Sequence, residues 1–136
     1  MEQKIYTITN QEMKVLLKSQ QGELDGVAMY RALAGAVKDP KDAATFRQLA
    51  AEEGHHAAVF RKHTKRALKP RKSKGTLLVC LYRIIGRKRL YPLIAQGEYS
   101  AYKTYEPVVK RFPEVESVRE DAQRHGETVM SLLGKH

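Results

Sequence analysis

The sequence predicts an all-α protein: a four-helix bundle with a short extra helix in the long crossover between the second and third long helices. Three observations carry that prediction. Apolar residues recur at steps of three and four along four long segments. Gly and Pro punctuate those segments. No stretch alternates with the period of two that a half-buried strand requires. The 136 residues are read as a single domain, 1–136, long enough to bury a core without disulfide or metal staples.

Taken in order, Asn10 is the expected N-cap of a helix over about 11–37. The Asp-Pro pair at 39–40 breaks it, and a second helix covers about 41–68. KPRKSKG at 69–75 reads as a loop, followed by a short apolar helix over 76–85 that ends near Gly86. The third long helix covers about 88–111, with Pro92 in its first turns. FPE at 112–114 is the next break, and Pro113 suits the first turn of a last helix over 114–133, stopped by Gly134.

The net charge of +10 is unevenly placed. From Gly54 to Gly97 there are 12 Lys or Arg and no Asp or Glu, whereas the rest of the chain holds 13 basic and 15 acidic residues. The basic segment comprises Arg61, Lys62, Lys65, Arg66, Lys69, Arg71, Lys72, Lys74, Arg87, Lys88 and Arg89. It reads either as a solvated connector or as a surface that attracts phosphates or anionic lipid. Base-reading motifs are absent, so specific nucleic-acid recognition is not expected. A single cysteine, Cys80, allows no internal disulfide and reads as a small packing residue. No Cys-x-x-Cys pair offers a rubredoxin-like or zinc-ribbon site. MEQKIYTITNQ has no apolar core of a signal peptide, and TLLVCLY at 76–82 is too short to span a bilayer. The expected location is cytoplasmic, or peripheral at a membrane.

The stripes place ionisable groups where apolar ones belong. In the second helix Phe46, Leu49, Glu53, His56, Phe60 and His63 share one face, while Glu52 and His55 fall on the next stripe round. The first helix aligns Leu16, Glu23, Val27, Tyr30 and Val37. The third aligns Tyr91, Ile94, Glu98, Ala101, Tyr105, Val108 and Phe112. The last aligns Val115, Val118, Ala122, His125, Val129 and Leu132. A buried ionised carboxylate costs several kcal/mol unless it is paired or metal-bound. No Lys or Arg shares these stripes. A central cation is the simplest remedy, and carboxylates with imidazoles suit iron, manganese or zinc better than magnesium or calcium.

The two halves also echo each other, in QGELDGVAMY at 21–30 and QGEYSAYKTY at 96–105. The glycine before each glutamate costs roughly 1 kcal/mol against alanine in a helix, which suggests close backbone packing beside the glutamate. Tyr30 and Tyr105 lie two turns along and either hydrogen-bond a carboxylate or a bound oxygen species, or simply fill the core.

With Glu23, Glu53-x-x-His56, Glu98 and His125 all in phase, the sequence resembles the ferritin-like superfamily, and within it the rubrerythrin-like proteins, over roughly 11–133. That family takes a Glu from each of two helices and a Glu-x-x-His from each of the other two. The resemblance therefore implies metal ligation by Glu23, Glu53, His56, Glu98 and His125. The second Glu-x-x-His has Ala122 in place of its glutamate, and Asp121, four residues before His125, is the candidate substitute. Rubrerythrins carry a further glutamate where this chain has Ala101. Glu52, His55, Tyr30 and Tyr105 would support the ligands.

What the resemblance implies is a non-haem iron protein, with one or two iron ions per chain or manganese or zinc in their place. It would react with hydrogen peroxide or dioxygen in iron handling or oxidative-stress defence, as a peroxidase- or ferroxidase-like oxidoreductase. Electrons would come from ferrous iron or an external donor, since there is no haem and no in-chain rubredoxin site. A homodimer is the expected assembly. The alternative is a metal-binding or sensing module with an incomplete site, docking through its basic segment on a membrane, nucleic acid or protein partner. A helical scaffold that has lost its metal is the third reading.

Overall fold

The computed structural model describes residues 7–134, so His136 at the tail lies outside the described residues. Five α-helices follow one another: α1 Asn10–Ala36, α2 Pro40–Thr64, α3 Ser73–Ile85, α4 Arg87–Thr104 and α5 Glu114–Ser131. A 3-10 turn at Glu106–Val108 precedes α5, and no strand occurs among the described residues. The fold is all-α, a helical bundle in which α1 packs chiefly on α2 and α4 chiefly on α5, while α3 lies against α1.

Local chemistry sets the helix ends, and it moves several of them from their expected places. Thr9, not Asn10, caps α1. Its hydroxyl accepts from the Glu12 N–H at 3.0 Å and the Glu12 carboxylate accepts from the Thr9 N–H at 2.9 Å, a reciprocal capping box. Asp39 caps α2 by accepting from the N–H groups of Lys41 and Asp42, with Pro40 in the first turn, where its missing N–H costs nothing. That helix stops at Thr64 rather than 68. Lys65 turns left-handed at φ 57°, and Gln20 of α1 ties down the exit: its amide donates to the Arg66 carbonyl at 2.7 Å and its oxygen accepts from the Thr64 hydroxyl at 2.5 Å.

α3 begins at Ser73, earlier than the loop expected at 69–75 allowed. Buried Asp25 accepts from the Arg71 backbone N–H at 2.8 Å and from its guanidinium at 2.7 and 2.9 Å, which fixes the approach to the helix. α4 ends at Thr104 instead of reaching 111. Pro107 explains this: it has no N–H to donate and its ring would clash with the preceding turn. The side chains still keep the predicted face, because Tyr105, Val108 and Phe112 are all buried.

The apolar interior divides into two clusters. One gathers Tyr30, Leu33, Phe46, Leu49, Leu90, Tyr91, Ile94 and Val129; Leu78, Leu81, Tyr82 and Ile85 of α3 pack against it. The other gathers Leu16, Phe60, Tyr105, Val108, Phe112, Val115 and Val118. Each long helix passes from one cluster to the other. Glu23 therefore falls between Leu16 and Tyr30, Glu53 and His56 between Leu49 and Phe60, Glu98 between Ile94 and Tyr105, and His125 between Val118 and Val129. The result is a polar layer between two apolar ones. No helix among the described residues is long and apolar enough to cross a membrane.

Candidate metal centre

Glu23 of α1, Glu53 and His56 of α2, Glu98 of α4 and His125 of α5 are each no more than 6% exposed. Helical period puts each on the buried face of its helix, and its place between the two apolar clusters brings all five to one depth. The two imidazoles stack with centroids 5.4 Å apart and planes inclined by 22°. Each turns Nδ1 toward the inner carboxylates and Nε2 outward. His56 Nδ1 lies 2.6 Å from Glu23 Oε1 and 3.3 Å from Glu53 Oε2, while its Nε2 lies 2.8 Å from Asp121 Oδ2. His125 Nδ1 faces Glu98 Oε2 at 3.5 Å and Glu53 Oε2 at 3.9 Å, while its Nε2 lies 2.9 Å from Glu52 Oε1. The cluster thus has two similar halves, Glu23 with His56 and Glu98 with His125, sharing Glu53.

The tyrosines link the halves crosswise. Tyr30 of α1 donates to Glu98 Oε2 at 2.5 Å, and Tyr105, just past α4, donates to Glu23 Oε2 at 2.9 Å. Burial and the adjacent glutamates hold both phenols well above their usual pKa, so they stay protonated donors. The Glu53 carboxyl is likewise pushed well up, first by burial and then by the charges of Glu23 and Glu98. For His56 burial opposes protonation, but Glu23 and Asp121 outweigh it and raise the pKa. On the outer side, burial of Glu52 is outweighed by hydrogen bonds from Gln48, His125 and Arg124, which bring it down to about 2. Arg124 contacts Glu52 and lies 3.2 Å from Asp121, so one guanidinium closes the outer rim of both halves.

This donor set fits a transition-metal cation. Three inner carboxylates meet with no Lys or Arg beside them among the described residues. His125 Nδ1 is buried without a hydrogen-bond partner. Glu53, His56 and His125 each offer one ligand atom with all three inside 4.8 Å of one another. Oxygen and imidazole donors together suit iron, manganese or zinc.

Several expectations need correcting. Ala122, where the resemblance expects a glutamate, is buried and brings no donor to the layer, and Asp121 does not point into it. One residue earlier on α5, Asp121 sits further round the helix, 36% exposed, against the outer nitrogen of His56, as Glu52 sits against that of His125. His55 is exposed and makes no hydrogen bond or ion pair among the described residues, because it falls one step off the buried face. Cys80 is exposed rather than packed. The basic segment is partly consumed within the fold: Arg71 and Lys74 pair with Asp25, Arg87 with Asp42 and Lys62 with Glu114.

The repeated glycines have a different reason from the one expected. A Cβ at Gly22 or Gly97 would meet nothing within 4 Å. Both line a cleft of about 350 Å³ between α1 and α4 whose wall includes Glu23, Glu53, Glu98, Tyr30 and Tyr105. Ala101 lines the same cleft. Close packing belongs instead to Gly26, where a Cβ would stand 2.6 Å from Glu53 Oε1. Gly26→Ala should therefore displace the Glu53 carboxylate, the far end of a flexible side chain, with little loss of stability. Metal affinity is expected to fall roughly 10–100-fold, as when a ligand's support is removed. Metal titrations beside thermal melts check it; unchanged affinity would show that Glu53 need not occupy this position.

The stripes gave no sign of Arg124, of Asp25 or of the Asp42–Arg87–Tyr91 group. Only the Asp121–Arg124 spacing of three could have pointed to the first.

A family model described as Rubrerythrin matches residues 14–129. The comparison with curated proteins found no match, and the comparison with solved structures found none.

Proposed function

Because the chain belongs to the rubrerythrin family, we propose that its buried cluster holds one or two redox-active ions, iron foremost, and that the protein reduces peroxide or dioxygen in iron handling or oxidative-stress defence. Glu23, Glu53, His56, Glu98 and His125 are the ligands in this reading. The observation that carries it is the buried Nδ1 of His125, without a hydrogen-bond partner and aimed at Glu98 and Glu53 in a layer that holds no Lys or Arg among the described residues. Bound iron supplies the redox chemistry.

The chain's own residues do the rest. With a metal bound, Asp121 and Glu52 would accept from the outer Nε2–H of His56 and His125, fixing the tautomer and leaving each Nδ1 lone pair to face inward. The apolar clusters enclose the layer from either side and leave the α1–α4 cleft as its open side. Tyr30 and Tyr105 orient Glu98 and Glu23 and keep a phenolic proton beside the cleft. The cleft, opened by Gly22, Gly97 and Ala101, admits a small oxidant to the carboxylates. Reduction of peroxide to water takes two electrons and two protons. The electrons come from ferrous iron or a separate donor, since a single cysteine cannot build a rubredoxin-like centre.

The test is peroxide consumption by the iron-loaded protein and by Glu98→Gln, a variant that keeps a hydrogen-bond partner for Tyr30. Wild type should consume peroxide, and the variant should be slower by at least about 100-fold with unchanged helicity. Equal rates would refute the ligand role of Glu98. A second reading rests on Ala122 and on the engagement of Asp121 at His56: a site short of one carboxylate that binds metal without turnover and serves as a sensor. Wild type that takes up a single ion and leaves peroxide untouched would favour it.

A further inference from the structure

α3 is apolar on both of its sides. Leu78, Leu81, Tyr82 and Ile85 pack against the first core cluster. Gly75 lets the helix approach α1, since a Cβ there would lie 3.1 Å from the Ala28 carbonyl and the Ala32 side chain. The opposite side should then be polar, as for any helix lying on a globular core. It is not. Leu77 is 57% exposed, Ile84 is 78% exposed, and exposed Cys80 lies between them at steps of three and four.

Beside this row runs an apolar groove of about 490 Å³ between α1 and α3, walled by Val27, Ala28, Ala32 and Val79. Arg31, Lys72 and Arg83 also line it, and none of the three forms an ion pair among the described residues. Exposed Lys88 follows just beyond Gly86. No Asp or Glu occurs anywhere from Gly54 to Gly97. The nearest acid of α1, Asp25, is buried and already paired with Arg71 and Lys74.

We propose that the outer face of α3, with the α1–α3 groove beside it, docks on an anionic lipid bilayer. An aliphatic row flanked by unpaired cations is the arrangement of a helix that lies in a membrane interface: the side chains enter the acyl boundary while Lys and Arg meet anionic headgroups. Charge argues against a second copy as the occupant. A twofold contact through this face would set Arg83 and its neighbours against their own images with no acid between them. A polyanion such as DNA would use the cations but would leave the aliphatic row in water. The docking surface is independent of the metal reading, since no residue of the inner cluster takes part.

The experiment is co-sedimentation of the full chain with phosphatidylcholine vesicles, with and without phosphatidylglycerol, at low and high salt. Wild type is compared with the double variant Leu77→Ser, Ile84→Ser, which keeps every cation and alters only exposed side chains. A polarity-sensitive fluorophore on Cys80, the single cysteine, reports insertion. The expected result is binding to the anionic vesicles alone, weakened by salt, with a blue shift at Cys80. The double variant should bind at least about tenfold more weakly, with an unchanged melt. Absence of binding at low salt would overturn the proposal. So would equal binding by the double variant, a blue shift that grows with protein concentration in the absence of vesicles, or retention on duplex DNA in place of vesicles.

Discussion

Glu53→Gln is expected to raise the melting temperature of the metal-free protein and to abolish the further rise that metal gives the wild type. Glu53 is 4% exposed, and its carboxyl meets Glu23 and Glu98, with the two imidazoles but no Lys or Arg beside it among the described residues. Without metal, its ionised form is opposed by burial and then by those two charges, so the folded pKa stands well above the ordinary carboxylate value. The sign of the pH effect follows. A carboxyl whose folded pKa is raised stays protonated in the folded chain while it ionises in the unfolded one. Its stability contribution is full below the ordinary carboxylate range and is lost as pH rises through the folded value. The advantage of the neutral glutamine should therefore be small in acid and grow toward neutral pH, reaching on the order of 2 kcal/mol.

Metal reverses the order. A ligand that binds only the folded state, at a concentration a thousandfold above its Kd, adds about 4 kcal/mol to wild type and little to the variant. Melts across pH, with and without ferrous iron under anaerobic conditions, check both signs. Equal melting of the two proteins in every condition would mean that Glu53 is neither strained in the metal-free cluster nor a ligand.

A second large effect lies away from the centre. Arg87→Leu should cost roughly 3 kcal/mol, the scale set by stripping one partner from a buried ion pair. Asp42 is 2% exposed and accepts from Arg87 Nε at 2.9 Å, from its terminal nitrogen at 3.0 Å and from the Tyr91 hydroxyl at 2.7 Å. The same terminal nitrogen reaches the Leu132 carbonyl at 2.5 Å and so ties the end of α5 to the starts of α2 and α4. The variant takes this donor from the Leu132 carbonyl and leaves Asp42 with the Tyr91 hydroxyl but no cation. For a chain of this size the loss corresponds to a fall in melting temperature of roughly 10 °C. Adding Asp42→Asn should recover part of it, because much of the cost is the stranded carboxylate. Metal content per folded chain should not change, since Asp42 and Arg87 touch none of the inner donors. A single variant that melts like wild type would show that water replaces the guanidinium freely.

The contrast between these two groups shows what a sequence can carry. Glu23, Glu53, His56, Glu98 and His125 are legible because each stands in phase with apolar neighbours on its own helix. Period is a local property, and burial of the stripe brings the five together without further information. Asp42 with Arg87 and Asp25 with Arg71 are contacts across 45 and 46 residues, which no local pattern encodes. Asp121 shows a finer limit. Its spacing of four from His125 made it a candidate ligand, but which nitrogen of which histidine it meets depends on how α5 faces α2. Gly22 and Gly97 recur at matching places of the two halves, yet the glycine that Glu53 packs against is Gly26, whose counterpart in the second half is Ala101. The end of α4 could have been read from Pro107; the apolar stripe that continues past it, through Tyr105, Val108 and Phe112, hid the break.

Elemental analysis per chain tests the central claim most directly, on protein purified from iron-supplemented cells and again after anaerobic incubation with ferrous iron. The account predicts about one to two tightly held ions per wild-type chain and essentially none in Glu53→Gln. No metal in wild type under either condition would contradict it, and would mean that three buried glutamates and two histidines satisfy one another with protons alone.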